Sequence, residues 1–430
     1  MSRWARALSL VLLGFLAASC GQGRDRYSPD GGILPPPGSA DGGAPGDGGS
    51  VAAQDCLLPD GGVAARNLLV MNPQNGQILR TLDLSCFAEN PDRLPRPFLM
   101  AQARGKVYVA LQDFDQFFSH HGTAKLLVLD PAEDRVVRRI DLRGRKNVSD
   151  LRLGADGLLY LATQGILGLE YPGFTVEPEL SGGIDIVYPA TDQVVGTIDD
   201  DAFGGNVTLL EPVSSSQGYA VVAVFDTQGS PRENRYHIKA WNPQARTGLA
   251  ASLYASPGSF ISGLQFDAAS DCLWIAEGSF SSPRLRALRR ADASLDTARD
   301  IQLALPPQGM GLYSVGSTRV LVVVEPDFTG GVGVVQTVDL AGAPPYSAVT
   351  RGDPVSSDPV VRVTQPLGGA PLVFVVNRYG ADNLQWLDPQ NGFLTRRLGN
   401  TALQWSTGNG TNPQDVLAVS ENKVYVTLQN

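Results

Sequence analysis

The stretch Lys106-Val-Tyr-Val-Ala-Leu-Gln112 returns almost unchanged at the end of the chain as Lys423-Val-Tyr-Val-Thr-Leu-Gln429. Short segments rich in β-branched and aromatic residues are typical of buried β-strands. Five weaker copies of this strand occur between the two, and they begin at Leu158, Tyr219, Cys272, Arg319 and Leu372. Seven copies in one chain indicate a repeated structural unit.

A second marker repeats with the same count. It is a turn built on Pro or an equivalent residue and followed by a strand, as in Asp130-Pro131 before the segment that ends at Leu142. The other copies are Asn72-Pro73, Tyr188-Pro189, Asn242-Pro243, Asp388-Pro389 and two degenerate ones near Ala291 and Leu340. The mean spacing is about 53 residues. An apolar stretch also precedes each strand of the first kind, so each unit holds four strands of five to eight residues. That content predicts an all-β, seven-bladed β-propeller with four-stranded blades.

The phase of the repeats predicts how the ring closes. Asn67 to Met71 matches the third strand of a unit and Gln77 to Leu84 the fourth, whereas the chain ends just after a second strand. We therefore expect the last blade to take two strands from each end of the chain. This closure pairs two sheet edges that would otherwise remain open to other chains.

Composition narrows the function classes. The 430 residues include 48 Gly and 30 Pro, and 43% are hydrophobic, which argues against both a helical bundle and wholesale disorder. The net charge is −9, without the basic surplus that neutralises phosphates, so we expect no nucleic-acid partner. Three His and four Cys leave little material for a transition-metal centre.

The N-terminal segment is typical of an export signal. Arg3 and Arg6 precede an apolar run from Ala7 to Ala18 that is too short to span a bilayer. The small residues before Cys20 resemble the lipobox of bacterial lipoproteins, which implies cleavage after residue 19 and acylation of Cys20. Gly21 in place of Asp favours the outer membrane, on its periplasmic face or at the cell surface. The alternative is an ordinary secretory peptide with an incidental Cys.

Residues 20–57 are rich in Gly, Pro and Asp and carry few large apolar side chains. Such a segment cannot bury enough surface to offset the entropy of ordering it, so we expect a disordered tether. The domain organisation predicted from the sequence is thus a signal peptide over 1–19, a tether over 20–57 and a propeller over 58–430.

The two markers together resemble the YVTN family of bacterial seven-bladed propellers, over roughly residues 66–430. Members are mostly extracytoplasmic binding or surface proteins, and the wider superfamily includes lactonases. The resemblance implies a binding or assembly module for a protein or glycan of the cell envelope, with a lactonase-like hydrolase acting at the channel mouth as the alternative. The sequence contains no nucleophile elbow, zinc helix or phosphate-binding glycine loop, which favours the non-enzymatic interpretation.

Binding is expected in the loops that join the second strand of a blade to the third, and the fourth to the next blade, because these share one face of a propeller. Long loops with several aromatic residues on a rigid ring are where binding is usually built. The candidate residues are Phe114, Phe117, Phe118, His120, His121, Tyr171, Phe174, Asp200 and Trp405. Equally compatible is an arrangement in which these aromatic side chains fold down and cap the first two blades.

Metal and disulfide chemistry have few candidates. His120 and His121 are adjacent and point to opposite sides of an extended chain, and only His237 remains as a third histidine. The run Asp199 to Asp201 could bind Ca²⁺ through oxygen ligands, but acidic turns are more often solvated, so no cofactor is expected. Cys56 and Cys86 flank the first ordered strands and are candidates for a disulfide, whereas Cys272 is expected to be buried and free.

Overall fold

The computed structural model describes residues 67–116, 122–142, 144–167, 169–171, 174–176, 178–229, 233–327 and 332–429, with the backbone alone described for 169–171 and 174–176. These residues form an all-β propeller of seven blades. Four short 3₁₀ helices interrupt the strands, at Ser85–Phe87, Asp200–Ala202, Thr297–Arg299 and Pro389–Asn391. Within the described ranges, no helix has both the length and the hydropathy needed to cross a bilayer.

The strands follow one another around the ring. The first two, β1 (Leu68–Asn72) and β2 (Gln77–Leu82), belong to the last blade. Blade 1 comprises β3 (Pro97–Ala103), β4 (Lys106–Leu111), β5 (Lys125–Asp130) and β6 (Arg135–Asp141). Blade 2 comprises β7 (Val148–Leu153), β8 (Leu159–Thr163), an inserted hairpin of β9 (Leu169–Tyr171) and β10 (Phe174–Val176), β11 (Gly183–Tyr188) and β12 (Gln193–Asp199). Blade 3 comprises β13 (Asn206–Ser214), β14 (Gln217–Asp226), β15 (Glu233–Asn242) and β16 (Thr247–Ala255).

The second half continues in the same order. Blade 4 comprises β17 (Phe260–Asp267), β18 (Cys272–Gly278), β19 (Arg284–Arg289) and β20 (Ile301–Gln302). Blade 5 comprises β21 (Gly309–Val315), β22 (Thr318–Glu325), β23 (Gly333–Asp339) and β24 (Val349–Val355). Blade 6 comprises β25 (Pro359–Thr364), β26 (Leu372–Asn377), β27 (Asn383–Asp388), β28 (Leu394–Thr395), the hairpin β29 (Arg397–Leu398) and β30 (Thr401–Ala402), and β31 (Gln404–Ser406). Blade 7 ends the chain with β32 (Pro413–Ser420) and β33 (Lys423–Leu428).

The closure of the ring follows the prediction. Blade 7 has the strand order β2-β1-β33-β32, so each end of the chain contributes two strands. In the antiparallel register, Leu68 lies opposite Thr427 and Val70 lies opposite Tyr425. Seven four-stranded blades and this shared last blade confirm the fold predicted from the repeats.

Strand length departs from the predicted five to eight residues in three blades. The strands of blade 3 run to nine or ten residues, and the outer strand of blade 4 has only two. In blade 6 the outer strand is interrupted by the β29–β30 hairpin, and β31 then resumes the pairing with β27. The buried Leu403 bridges the gap, because its carbonyl accepts the Trp386 N–H at 3.1 Å.

The hydrophobic core is distributed around the ring. The buried apolar side chains of the described residues group into seven clusters, and each lies between two neighbouring blades. The cluster between blades 7 and 1, for example, contains Val70, Val109 and Tyr425. Each blade therefore buries both faces against its neighbours, which makes the ring a stiff scaffold for its loops.

A polar contact accompanies the apolar cluster between blades 7 and 1. The Lys423 Nζ lies 2.6 Å from Asp134 Oδ1, and the Tyr425 hydroxyl donates a hydrogen bond to the same carboxylate. Asp134 occupies the turn that begins with Asp130-Pro131, at a φ of 52°. The first sequence marker of one blade thus contacts the second marker of the next blade, which gives their joint recurrence a physical reason.

Candidate functional site at the channel mouth

The connections from the second to the third strand of a blade lie at the same end of the ring as those from the fourth strand to the next blade. This follows from the antiparallel order of each sheet. The innermost strands β3, β7, β13, β17, β21, β25 and β32 also begin at this end. We call it the mouth, because the inner strands surround the central channel here.

Polar side chains link neighbouring blades along the mouth. Gln429 Nε2 donates to Gln112 Oε1 at 3.0 Å, and Gln112 Nε2 donates to the Val148 carbonyl at 2.9 Å. Asn206 Nδ2 continues the series by donating to the Gln164 carbonyl at 2.7 Å. The full set, which we call the mouth arc, runs from blade 5 to blade 3 and comprises Gln308, Asp358, Arg378, Gln414, Asn412, Gln429, Gln112, Asn147, Gln164 and Asn206.

The mouth arc is a structural feature that the sequence interpretation missed. Its amides hydrogen-bond to one another and to backbone carbonyls, so they hold the blades in register. Gln112, Gln164 and Gln429 each follow the repeated strand of the first marker, and this recurring Gln is the signal that could have revealed the arc. A preformed polar rim at a channel mouth costs little ordering entropy when a ligand binds.

The connection between β4 and β5 of blade 1 is anchored at the mouth by a buried ion pair. The side chains of Lys125 and Asp113 have no exposed area, and Lys125 Nζ lies 2.8 Å from Asp113 Oδ2. The same carboxylate accepts the backbone N–H groups of Glu89 and Asn90. A buried carboxylate with this many partners is a structural anchor, because removing any one of them would leave charge or hydrogen-bonding groups unpaired.

The corresponding loop of blade 2 carries the β9–β10 hairpin and has a different electrostatic arrangement. Arg145 lies at its base, 3.5 Å from Asp185 Oδ2 and 3.4 Å from Asp199 Oδ2, and donates to the Gly182 carbonyl. Burial raises the pKa of Asp185 to about 6, although Arg145 opposes the shift. Blade 2 therefore holds a carboxyl whose charged form is poorly compensated.

Asp200 belongs to the same region and is fully buried. Its Oδ2 accepts the Gly182 N–H at 3.0 Å, whereas its Oδ1 has no hydrogen-bond partner among the residues described. Burial raises its pKa to about 6, and the neighbouring Asp199 adds to the shift. The local chain folds this way because the Asp199 carboxylate caps the short helix Asp200–Ala202 by accepting the Asp201 N–H.

Carboxylates of the inner strands line the channel, and they close the ring between blades. Asp415 of blade 7 accepts the Met100 N–H of blade 1 at 2.7 Å. Asp150 of blade 2 accepts the Leu210 N–H of blade 3 at 2.8 Å. The free edge of each inner strand faces the channel, so these side chains satisfy backbone donors that have no neighbouring strand.

One guanidinium group partly neutralises each of these two carboxylates. Arg362 lies 2.5 Å from Asp415 Oδ1, and Arg152 lies 3.1 Å from Asp150 Oδ2. Burial nevertheless raises the pKa of Glu211 to about 7, against the opposing charge of Arg152. Glu211 is thus a half-buried channel carboxyl that changes charge near neutral pH.

The predicted binding residues lie in different parts of the structure. Phe114 is buried, Asp200 is buried, and Trp405 packs on Gly76 at the boundary of blades 6 and 7, where its Nε1 donates to the Pro73 carbonyl at 2.8 Å. All three are engaged in the fold, and among them only Phe114 is an aromatic loop residue of the first two blades. Tyr171 and Phe174 lie opposite each other in the β9–β10 hairpin, with only their backbone described. Phe117, Phe118, His120 and His121 lie outside the described residues, as does Cys20.

The cysteines within the described ranges differ in state. Cys86, in the helix Ser85–Phe87, is disulfide-bonded, and Cys272 is free and buried, as expected for a small apolar side chain. Cys56 lies outside the described residues, so its pairing with Cys86 stays a prediction.

The fold and its mouth define a seven-bladed β-propeller protein. Hydrazine synthase of Kuenenia stuttgartiensis is similar in structure, with 11% identity over 76% of this chain and 91% of that chain and a TM-score of 0.51. The periplasmic gluconolactonase of Pseudomonas aeruginosa has 15% identity, coverages of 85% and 99%, and a TM-score of 0.45. The propeller domain of Cps50 (Swd1) from Myceliophthora thermophila has 12% identity, coverages of 79% and 98%, and a TM-score of 0.48. No protein-family profile and no curated protein sequence matches the chain. At these identities the likeness concerns the fold alone.

Proposed function

We propose that this chain is a lipid-anchored protein of the outer membrane whose propeller binds a protein or glycan of the cell envelope at the mouth. The observation that carries the proposal is the β9–β10 hairpin, which is inserted between β8 and β11 and so extends the mouth side of blade 2. An insertion at one loop of a regular repeat adds surface without altering the ring, which is how repeat proteins usually acquire a binding face.

The surroundings of the hairpin support recognition of a partner. The mouth arc fixes the blades beneath it, and the buried Lys125–Asp113 pair fixes the neighbouring loop of blade 1. The hairpin places two aromatic residues, Tyr171 and Phe174, at paired positions. Aromatic residues on a rigid support contribute strongly to interfaces because little conformational entropy is lost on binding.

The placement of the inner carboxylates favours binding over catalysis. Asp150 and Asp415 each accept a backbone N–H of the next blade, so both are committed to ring closure. A catalytic carboxylate must instead keep an oxygen free for substrate. These two residues are therefore assigned to structure.

Photo-crosslinking in living cells tests the binding role. A photoreactive phenylalanine analogue replaces Tyr171 in the hairpin or, as the matched control, Tyr188, which is exposed at the opposite end of β11. We expect discrete crosslinked products from position 171 and none from position 188. Equal crosslinking from both positions, or none from 171, would contradict a binding face at the mouth.

Membrane attachment has its own test. Cys20→Ala removes the thiol that would be acylated, so the protein should move from the membrane fraction to the soluble fraction and lose incorporated radiolabelled palmitate. Cys272→Ala is the control, because that thiol is buried. Retention of Cys20→Ala in the membrane fraction would contradict the lipid anchor.

A lactone hydrolase is the second candidate, and Glu211 is the observation that favours it. A carboxyl whose pKa is raised to about 7 can serve as a general base near neutral pH. Hydrolysis of sugar lactones by the purified protein, lost in Glu211→Gln, would support this activity. Equal rates for the two proteins would argue against it.

A further inference from the structure

The equivalent positions of blades 1 and 2 carry different charges beneath the mouth. In blade 1 the first residue of the third strand is Lys125, which lies opposite Leu111 and Asp141. In blade 2 the same position is Gly183, which lies opposite Thr163 and Asp199. Blade 1 thus supplies its buried carboxylate with a cation from the third strand, whereas in blade 2 the guanidinium of Arg145, from the connection before β7, lies beside Gly183.

Blade 2 has three acidic residues where its fourth strand ends, whereas the fourth strand of blade 1 ends with Asp141 alone. Asp199, Asp200 and Asp201, which we call the acidic turn, each place one carboxylate oxygen within 4.8 Å of the others. Arg145 lies 3.4 Å from Asp199, and Asp201 forms no ion pair within the part of the chain that the structure describes. Within the described ranges, Asp199 is thus the one carboxylate of the acidic turn that forms an ion pair, and its partner Arg145 also lies beside Asp185.

A second observation is independent of the clustering. Asp200 is completely buried and its Oδ1 lacks any hydrogen-bond partner among the described residues. Thr163 Oγ1 is also buried without a hydrogen-bond partner among the described residues. Gly182 packs closely against both residues, since a Cβ on Gly182 would lie 2.2 Å from the Thr163 carbonyl and 2.9 Å from Asp200 Oδ2. Unpaired oxygen atoms without exposure are costly, so such atoms usually have a partner in the working protein.

We propose that the acidic turn binds one Ca²⁺ ion, which adds positive charge to that of Arg145 and gives the buried Asp200 Oδ1 a partner. The chemistry fits, because carboxylate, hydroxyl and carbonyl oxygens are the ligands that Ca²⁺ prefers. Oxygen atoms that share one Ca²⁺ ion, each at about 2.4 Å from it, lie at most about 4.8 Å apart, and the three carboxylate oxygens meet this limit. Mg²⁺ requires shorter distances and near-ideal octahedral geometry, so it should bind less well.

The position of the acidic turn gives the ion a defined consequence. Asp199 ends β12, and the turn leads directly into β13 of blade 3. Gly182, whose N–H Asp200 accepts, ends the segment that carries the β9–β10 hairpin. The bound ion would therefore fix the base of the hairpin and the junction of blades 2 and 3. Because Asp199 and Asp201 are exposed, water would complete the coordination and the affinity should be modest, with a Kd of about 10⁻⁴ to 10⁻³ M.

Calorimetric titration of the chelator-treated full chain with CaCl₂ tests the proposal. We expect one saturable site in this affinity range, a Kd for Mg²⁺ at least tenfold weaker, and a rise in Tm of a few degrees at 10 mM Ca²⁺. Asp200→Asn keeps the shape of the side chain and should weaken Ca²⁺ binding at least tenfold. Its Tm in chelator should equal or exceed that of the wild type, because a buried unpaired charge is removed.

Two further variants keep the test decisive. Asp201→Asn changes an exposed side chain that supports no other contact in the described structure, so it should fold and also weaken Ca²⁺ binding about tenfold. Asp141→Asn changes the blade 1 equivalent of Asp199 and should leave the Kd unchanged. The absence of saturable binding below 10 mM, an unaltered Kd in Asp201→Asn, or an equal loss in Asp141→Asn would each overturn the proposal.

Discussion

The hydroxyl of Tyr108 donates a hydrogen bond of 2.6 Å to Asp192 Oδ1 across the boundary between blades 1 and 2. Lys106 Nζ lies 2.6 Å from the other oxygen of the same carboxylate. Burial raises the pKa of Tyr108, and the hydrogen bond to Asp192 raises it further, so the hydroxyl stays protonated and remains a donor. The same three-residue arrangement joins blades 7 and 1.

Tyr108→Phe should destabilise the ring through this contact. The substitution removes a hydrogen bond to a charged acceptor and leaves the ring packing intact, which corresponds to a loss of about 1.5–3 kcal/mol in the free energy of unfolding. Urea denaturation followed by circular dichroism measures it. Tyr379→Phe, at an exposed tyrosine, is the control and should change the free energy by less than about 0.5 kcal/mol. Equal effects of the two substitutions would show that the Tyr108–Asp192 contact contributes nothing.

Removal of residues 423–430 should abolish folding. These residues form β33, which pairs with both β32 and β1 and holds blade 7 together. Thermal melting by circular dichroism should show no cooperative transition for this truncated chain. Deletion of residues 21–57 also removes Cys56, so Tm should fall by what the predicted Cys56–Cys86 disulfide contributes, whereas loss of the rest of the tether should change Tm by less than about 2 °C. A deletion of 21–55 that retains Cys56 separates the two effects.

Glu325→Gln should change the pH dependence of stability. Burial raises the pKa of Glu325 to about 7, and the Leu305 N–H opposes the shift only in part. A carboxyl with a raised pKa in the folded state contributes stability that is fully present below its unfolded pKa and lost as pH rises through 7. The variant lacks this charge, so its free energy of unfolding relative to wild type should increase by about 3 kcal/mol between pH 4.5 and 8.

Glu277, the equivalent residue of blade 4, is the control, because its substitution should change the free energy of unfolding in the opposite direction. Glu277 lies 2.9 Å from Arg286 and accepts hydrogen bonds from Tyr254 and Ser256. Glu277→Gln should therefore lower stability at pH 8, since it leaves the guanidinium without its main partner. A gain in stability for both variants would contradict the view that the charge of Glu277 is compensated and that of Glu325 is not.

Non-reducing peptide mapping should find Cys56 and Cys86 in one disulfide-linked fragment. An interval of this length predicts a stabilisation of about 3 kcal/mol in the chain-entropy model, so the Cys56→Ser/Cys86→Ser double variant should lose about that much free energy of unfolding. Cys272→Ser alone should leave the linked fragment unchanged. A free thiol at Cys56 in the oxidised protein would contradict the pairing.

The propeller fold could be predicted because each repeat carries its own strand and turn pattern in the sequence. Each first-marker strand, such as Val107 to Leu111, carries its own periodicity and is followed by a turn of its own. The phase of the seven repeats also predicted that the last blade takes two strands from each end of the chain. The irregular outer strand of blade 6 escaped prediction, because its interruption depends on where Leu403 packs against Trp386 in three dimensions.

The candidate site was less predictable than the fold. Aromatic loop residues such as Phe114 and Trp405 resemble binding residues in sequence, yet burial and blade packing engage both of them. The contrast between Lys125 and Gly183 becomes visible only when the register of two blades is compared. Charge compensation across strands is a tertiary property, so neither residue signals it alone.

The pairing of Leu68 with Thr427 joins residues near the two ends of the propeller. Strands β1 and β2 can pair with each other as soon as both are synthesised, but their blade stays incomplete until β33 has been synthesised. The contact order of this closing step is therefore high, and folding should end with a slow, all-or-none event rather than blade by blade.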